Sequence, residues 1–246
     1  MSSSSKKRRR ETGALPPHLQ APVDLANENI LGLASADEVS RIYDRLEGSD
    51  AYTVARDHRA RLRSEGKISE SEALQYGEID CAAFSRLLMG LELKVAGGEN
   101  TSFVDVGSGS GKAVLVAAST GKFNKATGIE IVEDLHKMAI KAKEGWTGGR
   151  NTEVHFIRDD CFNCEWQETD HTSVLYLPIT CFTPEMVSHV CERVKATIRK
   201  GAIILCTSTL TPLDDDSLCG AVLRRLSVAR IRYGKGTMAF TTYEKV

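Results

Sequence analysis

The sequence predicts an α/β fold in which a mostly parallel sheet carries helices on both faces. From residue 101 onward, short runs rich in β-branched residues alternate with segments of helical periodicity, a pattern typical of a parallel sheet. The last two runs are joined by Gly234-Lys-Gly236, a turn that suits an antiparallel hairpin at the edge of the sheet. Residues 31–100 lack this alternation and are predicted to form a small helical subdomain.

The composition is that of a globular protein with a basic terminus. Of 246 residues, 41% are hydrophobic and 26% charged, which excludes a disordered or fibrous chain. Residues 6–10 carry five of the 32 basic residues, so 27 basic residues remain against 33 acidic ones and the rest of the chain has a net charge of −6. We expect residues 1–30 to be a disordered tail that serves as a nuclear address or a nucleic-acid contact, or is only a solvated terminus.

Features of membrane, secreted and zinc proteins are missing from the sequence. No apolar run approaches the roughly 18 residues of a membrane span, and the polar first ten residues are no secretory signal. The seven cysteines are an odd number, and Cys161-Phe-Asn-Cys164 is the one pair with C-x-x-C spacing. We therefore expect an intracellular protein without a metal site.

The helical subdomain is predicted from capping boxes and apolar periodicity. Ser35-Ala-Asp-Glu38 is typical of a helix start, and a second, charged helix is expected over 50–65. Ser69-Glu-Ser-Glu72 is a further capping box. Tyr76-Gly-Glu78 then interrupts the pattern, and apolar residues recur at helical spacing from Cys81 to Leu91.

Residues 101–246 are predicted as the sheet domain. Expected strands are Thr101–Val106, Ala126–Ile131, Val154–Ile157, Ser173–Leu177, Ala202–Cys206, 227–233 and 237–244. Expected helices are 112–120, 132–145, 184–199 and 215–225. The third of these helices has Thr183 as its cap and a proline in its first turn.

The most informative segment is Phe103-Val-Asp-Val-Gly-Ser-Gly-Ser-Gly-Lys112, in which three glycines follow a strand. A triphosphate-binding loop needs four residues between its first glycine and Gly-Lys, whereas three stand here and Ala113 follows. A dinucleotide fingerprint would need a glycine at Lys112. The remaining pattern, D-x-G-x-G-x-G, is that of class I S-adenosylmethionine (AdoMet) methyltransferases.

Acidic residues at three successive strand ends fit the same ligand. Asp105 can face the cationic amino group of AdoMet, and Glu130 can accept from its ribose. Asp159-Asp160 follow the third strand, where the adenine amine needs an acceptor. Because open α/β sheets bind ligands at the carboxyl ends of their strands, the sequence predicts an AdoMet site at this edge.

The sequence resembles the disruptor-of-telomeric-silencing family of histone lysine methyltransferases, which have the class I, Rossmann-like AdoMet fold rather than a SET domain. Over about residues 70 to 212, four blocks carry the resemblance: Tyr76-Gly-Glu78, Phe103–Gly111, Arg158-Asp-Asp-Cys-Phe-Asn-Cys-Glu-Trp166, and Thr172-Ser-Val-Leu-Tyr-Leu with Phe182-Thr-Pro-Glu185. The resemblance implies transfer of a methyl group from AdoMet to a lysine of a nucleosomal core histone, the third core histone, with S-adenosylhomocysteine (AdoHcy) as product.

A cofactor site and a lysine channel are implied by the same resemblance. The cofactor-binding residues would be Tyr76, Gly77, Glu78, Ile79, Phe103, Asp105, Gly107, Ser108, Gly109, Gly111, Lys112, Glu130, Asp160, Cys161 and Phe182. The catalytic channel walls would be Tyr76, Thr180 and Phe182, with Ile79, Tyr176 and Pro178 beside them. The aromatic channel residue near the C-terminus would be Phe240 or Tyr243.

Three positions depart from the family pattern. Cys161 stands where the family more often has Phe, Lys112 where it usually has Gln, and Pro178-Ile179 where better-known members have paired asparagines. Two alternatives therefore stay open: an AdoMet-dependent methyltransferase of a non-histone protein lysine or of RNA, and a non-catalytic module that binds AdoMet and nucleosomes. We expect a nuclear enzyme whose partners are the nucleosome and, through the basic tail, DNA.

Overall fold

A computed structural model describes residues 30–46, 50–66, 76–94, 100–148, 151–164, 166, 172–207, 222–234 and 236–246. Three helices come first: α1 (Ile30–Arg45), α2 (Ala51–Ser64) and α3 (Cys81–Met89). The sheet domain then contains β1 (Ser102–Val106), α4 (Lys112–Ser119), β2 (Lys125–Glu130), α5 (Glu133–Glu144), β3 (Glu153–Arg158), β4 (Thr172–Leu177), a 3₁₀ turn (Ile179–Cys181), α6 (Pro184–Thr197), β5 (Ile203–Thr207), β6 (Leu223–Tyr233) and β7 (Gly236–Lys245).

The described strands form one seven-stranded sheet in the order β3-β2-β1-β4-β5-β7-β6. Strands β1 to β5 pair in parallel with one another, whereas β7 is antiparallel to both β5 and β6. The predicted parallel sheet and its C-terminal hairpin are thus confirmed. The chain moves outward from β1 to β3 and then returns to β4 on the other side of β1, so a crevice is expected at the carboxyl ends of β1 and β4.

A hydrophobic core lies on each face of the sheet. On one face, Phe84 of α3, Phe103 of β1 and Phe240 of β7 are all fully buried, together with residues of α1 and α4. The other face packs against α6 through residues such as Val190 and Val194. Helices α1 and α3 therefore share a core with the sheet. None of the helices in the described ranges is long and apolar enough to cross a membrane.

The predicted start of α6 is correct, and the predicted start of α1 is not. Thr183 caps α6, because its side chain accepts a hydrogen bond from the Met186 N–H. Helix α1 begins at Ile30, so the predicted start at Ser35 was wrong. Glu38 lies inside that helix, where its Oε1 accepts from the Thr147 hydroxyl at 2.8 Å. It joins α1 to the turn after α5 instead of closing a capping box.

The second wrong boundary lies near the C-terminus. A helix was predicted over 215–225, but β6 already begins at Leu223. The ladder between β6 and β7 shifts register between Arg225 and Ser227, and this bulge interrupts the alternation by which a strand is recognised. Residues 215–221 of that predicted helix, the basic tail and the capping box at Ser69–Glu72 lie outside the described residues.

Candidate functional site

A cavity of about 490 Å³ opens at the carboxyl ends of β1, β2 and β4. Its volume suits a ligand of cofactor size. The predicted residues that line it are Tyr76, Gly77, Glu78, Ile79, Asp105, Gly107, Ser108, Gly109, Lys112, Glu130, Asp160, Cys161, Tyr176, Pro178, Thr180 and Phe182. Segments far apart in the sequence thus meet at the expected edge of the sheet.

Two residues predicted to bind the cofactor do not line this cavity. Phe103 is fully buried and packs against Phe84 and Phe123, with ring centroids 6.4 and 5.6 Å away. Gly111 caps α4 with φ +82°, and a Cβ there would lie 2.6 Å from the Phe156 ring. Its role is to let β3 pack closely against the start of α4, because only glycine combines this φ with the close approach.

Glu130 fixes the glycine loop from the end of β2. Its Oε2 accepts from the Gly109 N–H and its Oε1 from the Val132 N–H, both at 2.7 Å. Burial raises the pKa of this carboxyl, and the backbone N–H groups oppose the shift. A carboxylate has about four acceptor positions, so Glu130 can still accept from a ligand hydroxyl while holding the loop.

Asp105 lines the cavity and has a buried acceptor atom without a partner in the described part of the chain. The residue is 2% exposed, and its Oδ1 has no hydrogen-bond partner among the described residues. Burial and the nearby Glu130 charge raise the pKa of Asp105 well above its ordinary value. A buried acceptor without a partner is costly in a folded protein. At a cavity wall, it indicates a site for a donor or cation that the ligand brings.

A polar network joins the Tyr76-Gly-Glu78 loop to the glycine loop. The Tyr76 hydroxyl donates to Glu78 Oε1 at 2.9 Å and lies 2.8 Å from Ser110 Oγ. The Tyr43 hydroxyl donates to the Ser110 carbonyl at 2.6 Å. Lys112 Nζ donates to Glu78 Oε2 at 2.5 Å and lies 4.8 Å from the centre of the Tyr43 ring. Burial raises the pKa of both tyrosines, so they remain donors at neutral pH.

Asp160 and Cys161 form the cavity wall after β3. Asp160 shapes this turn, because Oδ1 accepts from the Phe162 N–H at 2.9 Å and Oδ2 from the Asn163 amide at 3.1 Å. Burial raises the pKa of Cys161 to about 12, so its thiol stays protonated at neutral pH. This wall is therefore apolar at Cys161 and is unsuited to nucleophilic chemistry.

Arg193 of α6 anchors the same turn from outside the cavity. Its guanidinium donates to the carbonyls of Cys161, Phe162 and Cys164 at 2.8, 3.2 and 2.7 Å. It also lies 4.5 Å from the centre of the Trp166 ring. Sequence reasoning missed Arg193, since nothing in its local pattern links it to a loop about thirty residues earlier.

The other half of the cavity is mostly apolar. It is lined by Tyr176, Pro178, Thr180, Phe182, Met186, Tyr233 and Met238. The prediction that Phe240 or Tyr243 supplies the C-terminal aromatic wall was wrong, because these side chains are 0% and 1% exposed and lie in the two cores. Tyr233 lines the cavity instead.

Tyr233 is tightly fitted against the Tyr76-Gly-Glu78 loop. A Cβ on Gly77 would lie 2.4 Å from Tyr233 Cε1, so only glycine fits under the ring. Ile79 forms an antiparallel bridge with Tyr233, and the Gly234 N–H donates to the Glu78 carbonyl at 2.7 Å. The C-terminal hairpin therefore positions the loop that closes the cavity.

Helix α2 also contributes to the lining, through Ala55 and His58. Burial, followed by the Arg61 charge, lowers the pKa of His58, which favours the neutral imidazole. No role was predicted for His58. Within the described ranges, no group of three or more His, Cys, Asp or Glu side chains is arranged to hold a metal ion.

A family sequence profile described as "Histone methylation protein DOT1" matches residues 60–246. The match covers most of the chain, including every segment that contributes to the cavity except α2, whose lining residues Ala55 and His58 precede it. It extends beyond the blocks on which the resemblance was first recognised, through the β6–β7 hairpin to the last residue.

Solved structures share the fold. A Pyrococcus horikoshii protein assigned as an RNA methyltransferase is 12% identical, with a TM-score of 0.54 over 89% of this chain and 100% of that one. An O-methyltransferase family 2 protein from Planctomyces limnophilus is 11% identical, with a TM-score of 0.51 over 85% and 65%. The PH0226 protein from Pyrococcus horikoshii is 13% identical, with a TM-score of 0.50 over 76% and 99%. At these identities the likeness shows the fold alone, a class I, Rossmann-like one.

Proposed function

This chain belongs to the DOT1 family of histone methylation proteins, and on that premise we propose that it transfers a methyl group from AdoMet to a lysine side chain of a nucleosomal core histone. The third core histone is the expected substrate, by family resemblance. The observation that carries the proposal is the unpaired Asp105 Oδ1 in the wall of the cavity, where the glycine loop meets the Tyr76-Gly-Glu78 loop.

The charges around the cavity suit AdoMet. Five carboxylates line it: Glu78, Asp105, Glu130, Asp159 and Asp160. AdoMet has a net positive charge, because its sulfonium and ammonium outweigh its one carboxylate. A cation near a buried carboxylate stabilises the ionised form of that carboxylate. Asp105 would bind the ammonium, Glu130 the ribose hydroxyls, and the turn at Asp160 and Cys161 would hold the adenine.

The apolar half of the cavity would form the lysine channel. When bound, AdoMet supplies a methyl group on a sulfonium, which an amine can displace in line. A lysine amine must lose its proton first, and its ordinary pKa is about 10.4. Apolar walls such as Pro178, Met186 and Met238 would disfavour the ammonium form of a lysine bound between them. Tyr76, Thr180 and Phe182 would align the amine, and alignment would supply much of the rate.

Calorimetric titration with AdoHcy tests the cofactor site. Wild-type protein should bind AdoHcy, and the double variant Asp105→Ala, Glu130→Ala should not. Asp134→Ala is the matched control, because Asp134 is a half-exposed carboxylate on α5 that does not line the cavity. Circular dichroism establishes that each variant is folded. Unchanged affinity in a folded double variant would refute the assignment of the cavity.

A second candidate is methyl transfer to a non-histone lysine or to RNA. Pro178-Ile179 stands where better-known relatives carry paired amides; Pro178 lines the cavity and Ile179 is buried in the core, so neither offers the channel an amide contact. Exposed arginines on β6, among them Arg224 and Arg230, would favour RNA. Transfer of labelled methyl groups to nucleosomes, free histones and total RNA in parallel distinguishes these substrates. Tight AdoHcy binding without transfer to any of them would indicate a non-catalytic binding module.

The basic tail is proposed to contact nucleosomal DNA and to direct the protein to the nucleus. Residues 6–10 carry five positive charges. Each phosphate neutralised on duplex DNA contributes about −0.9 to the slope of log affinity against log salt. Deleting residues 1–10 should therefore weaken nucleosome binding and flatten its salt dependence, with AdoHcy affinity unchanged. An unchanged nucleosome affinity would mean that the tail acts only as a nuclear localisation signal.

A further inference from the structure

Lys112 is the exception in the charge pattern of the cavity. The five lining carboxylates face one lysine and no arginine among the described lining residues. His58 adds little positive charge at neutral pH, since burial and Arg61 lower its pKa. Lys112 is the first residue of α4, directly after the glycine loop, so its backbone is fixed by the same turn that shapes the site.

The Lys112 ammonium is held in place on the cavity wall. It donates to Glu78 Oε2 at 2.5 Å, and it lies 4.8 Å from the centre of the Tyr43 ring. The side chains of Lys112 and Glu78 are only 16% and 20% exposed. A positive and a negative group thus stand side by side, partly shielded from water, where their interactions with a ligand are stronger than at an open surface.

The amino acid end of AdoMet has the complementary pattern. It carries an ammonium and a carboxylate on one carbon atom. Around a cavity lined by five acidic side chains, Lys112 is the positively charged side chain among the described lining residues that can attract a ligand carboxylate. A glutamine, which the family usually has at this position, could donate a hydrogen bond but could not neutralise the charge.

We infer that Lys112 binds the carboxylate of the cofactor's amino acid end, while Glu78 and Asp105 take its ammonium, and that Lys112 makes the site select ligands that carry this carboxylate. This inference rests on the proposed function. It makes Lys112 a determinant of cofactor specificity as well as the anchor of the loop that bears Glu78.

The test compares AdoHcy with its decarboxylated analogue, S-adenosyl-3-thiopropylamine, by calorimetry. Wild-type protein should bind AdoHcy about 10- to 100-fold more tightly than the analogue, the range expected for a charge-assisted hydrogen bond. In Lys112→Gln the AdoHcy affinity should fall and the preference should largely disappear. Affinity for the analogue should stay the same or rise, because the lysine no longer competes with the analogue's ammonium for Glu78.

Two further variants separate specificity from folding. Lys137→Gln removes an exposed lysine on α5 that pairs with Glu133, and it should keep the wild-type preference. Lys112→Arg keeps the charge and should keep most of the preference. A Lys112→Gln protein that binds AdoHcy and retains the full wild-type preference would overturn the inference. Lys112→Gln losing affinity for both ligands equally would also overturn it, whereas wild-type protein that binds no AdoHcy would overturn the proposed function itself.

Discussion

Replacing Asp105 by asparagine should remove a pH dependence from the stability of the folded protein. Burial and the Glu130 charge raise the pKa of Asp105 well above its ordinary value, whereas the unfolded chain has a pKa of about 3.9 at this residue. Between these two values the folded state keeps a proton that the unfolded state has released. Wild-type stability is therefore fully present below about pH 4 and falls as the pH rises toward the raised pKa.

The size of this effect follows from one titrating group. The free energy of unfolding should fall by at most about 1.4 kcal/mol per pH unit. For a chain of this length, that corresponds to about 3–6 °C in melting temperature per pH unit. Asp105→Asn has no titrating group at this position, and Glu130 remains in both proteins, so the difference between the two curves reports on Asp105.

Thermal unfolding without ligand, followed by circular dichroism from about pH 5 to pH 8, provides the measurement. The wild-type melting temperature should fall relative to that of Asp105→Asn as the pH rises. Asp134→Asn serves as the control, because Asp134 is half-exposed, and its curve should follow the wild-type one. Parallel curves for wild type and Asp105→Asn would refute the assignment of Asp105 as a buried carboxyl with a raised pKa.

Three further predictions concern the surroundings of the site. Gly111→Ala and Gly121→Ala both place alanine at a positive φ, which costs about 1–3 kcal/mol. Gly111→Ala should lose more stability in urea unfolding, because only at this position would the new Cβ meet an aromatic ring. Equal losses of stability in the two variants would contradict this. Arg193→Gln should weaken AdoHcy binding in calorimetry, since it removes the guanidinium that donates three hydrogen bonds to the turn proposed to hold the adenine. Wild-type affinity would contradict that role. Tyr233→Ala should impair methyl transfer but retain AdoHcy binding, whereas Phe240→Ala should lose about 3–5 kcal/mol of stability. Impaired methyl transfer in a stable Phe240→Ala protein, with normal transfer in Tyr233→Ala, would instead support Phe240 as the channel residue.

The order of strands and helices could be predicted because most elements have one buried face with regular spacing. The start of α1 was missed because the capping-box pattern of Ser35 and Glu38 falls inside the helix and does not mark its beginning. The start of β6 was missed for a different reason. Arg224 and Leu226 are exposed beside a bulge, so this edge strand shows no regular alternation of apolar and polar residues.

The cofactor half of the site could be predicted because each of its segments is a local motif at a strand end. Phe103 was misassigned because it lies within such a motif. It stands two residues before Asp105 on the same side of β1, about 7 Å further from the strand end, and so reaches the core and not the cavity. Tyr233 and Met238 could not be found from local pattern, since the pairing of β6 with β7 decides which aromatic side chain reaches the cavity.

The most direct test of the proposed function is mass spectrometry of reconstituted nucleosomes after incubation with the full chain and AdoMet. We expect the mass of one methyl group or more on a single lysine of the third core histone. The modification should be absent with the Asp105→Ala, Glu130→Ala variant and present with the Asp134→Ala control. Unmodified histones, in a preparation that binds AdoHcy and methylates another substrate, would contradict the assignment of this chain as a histone lysine methyltransferase.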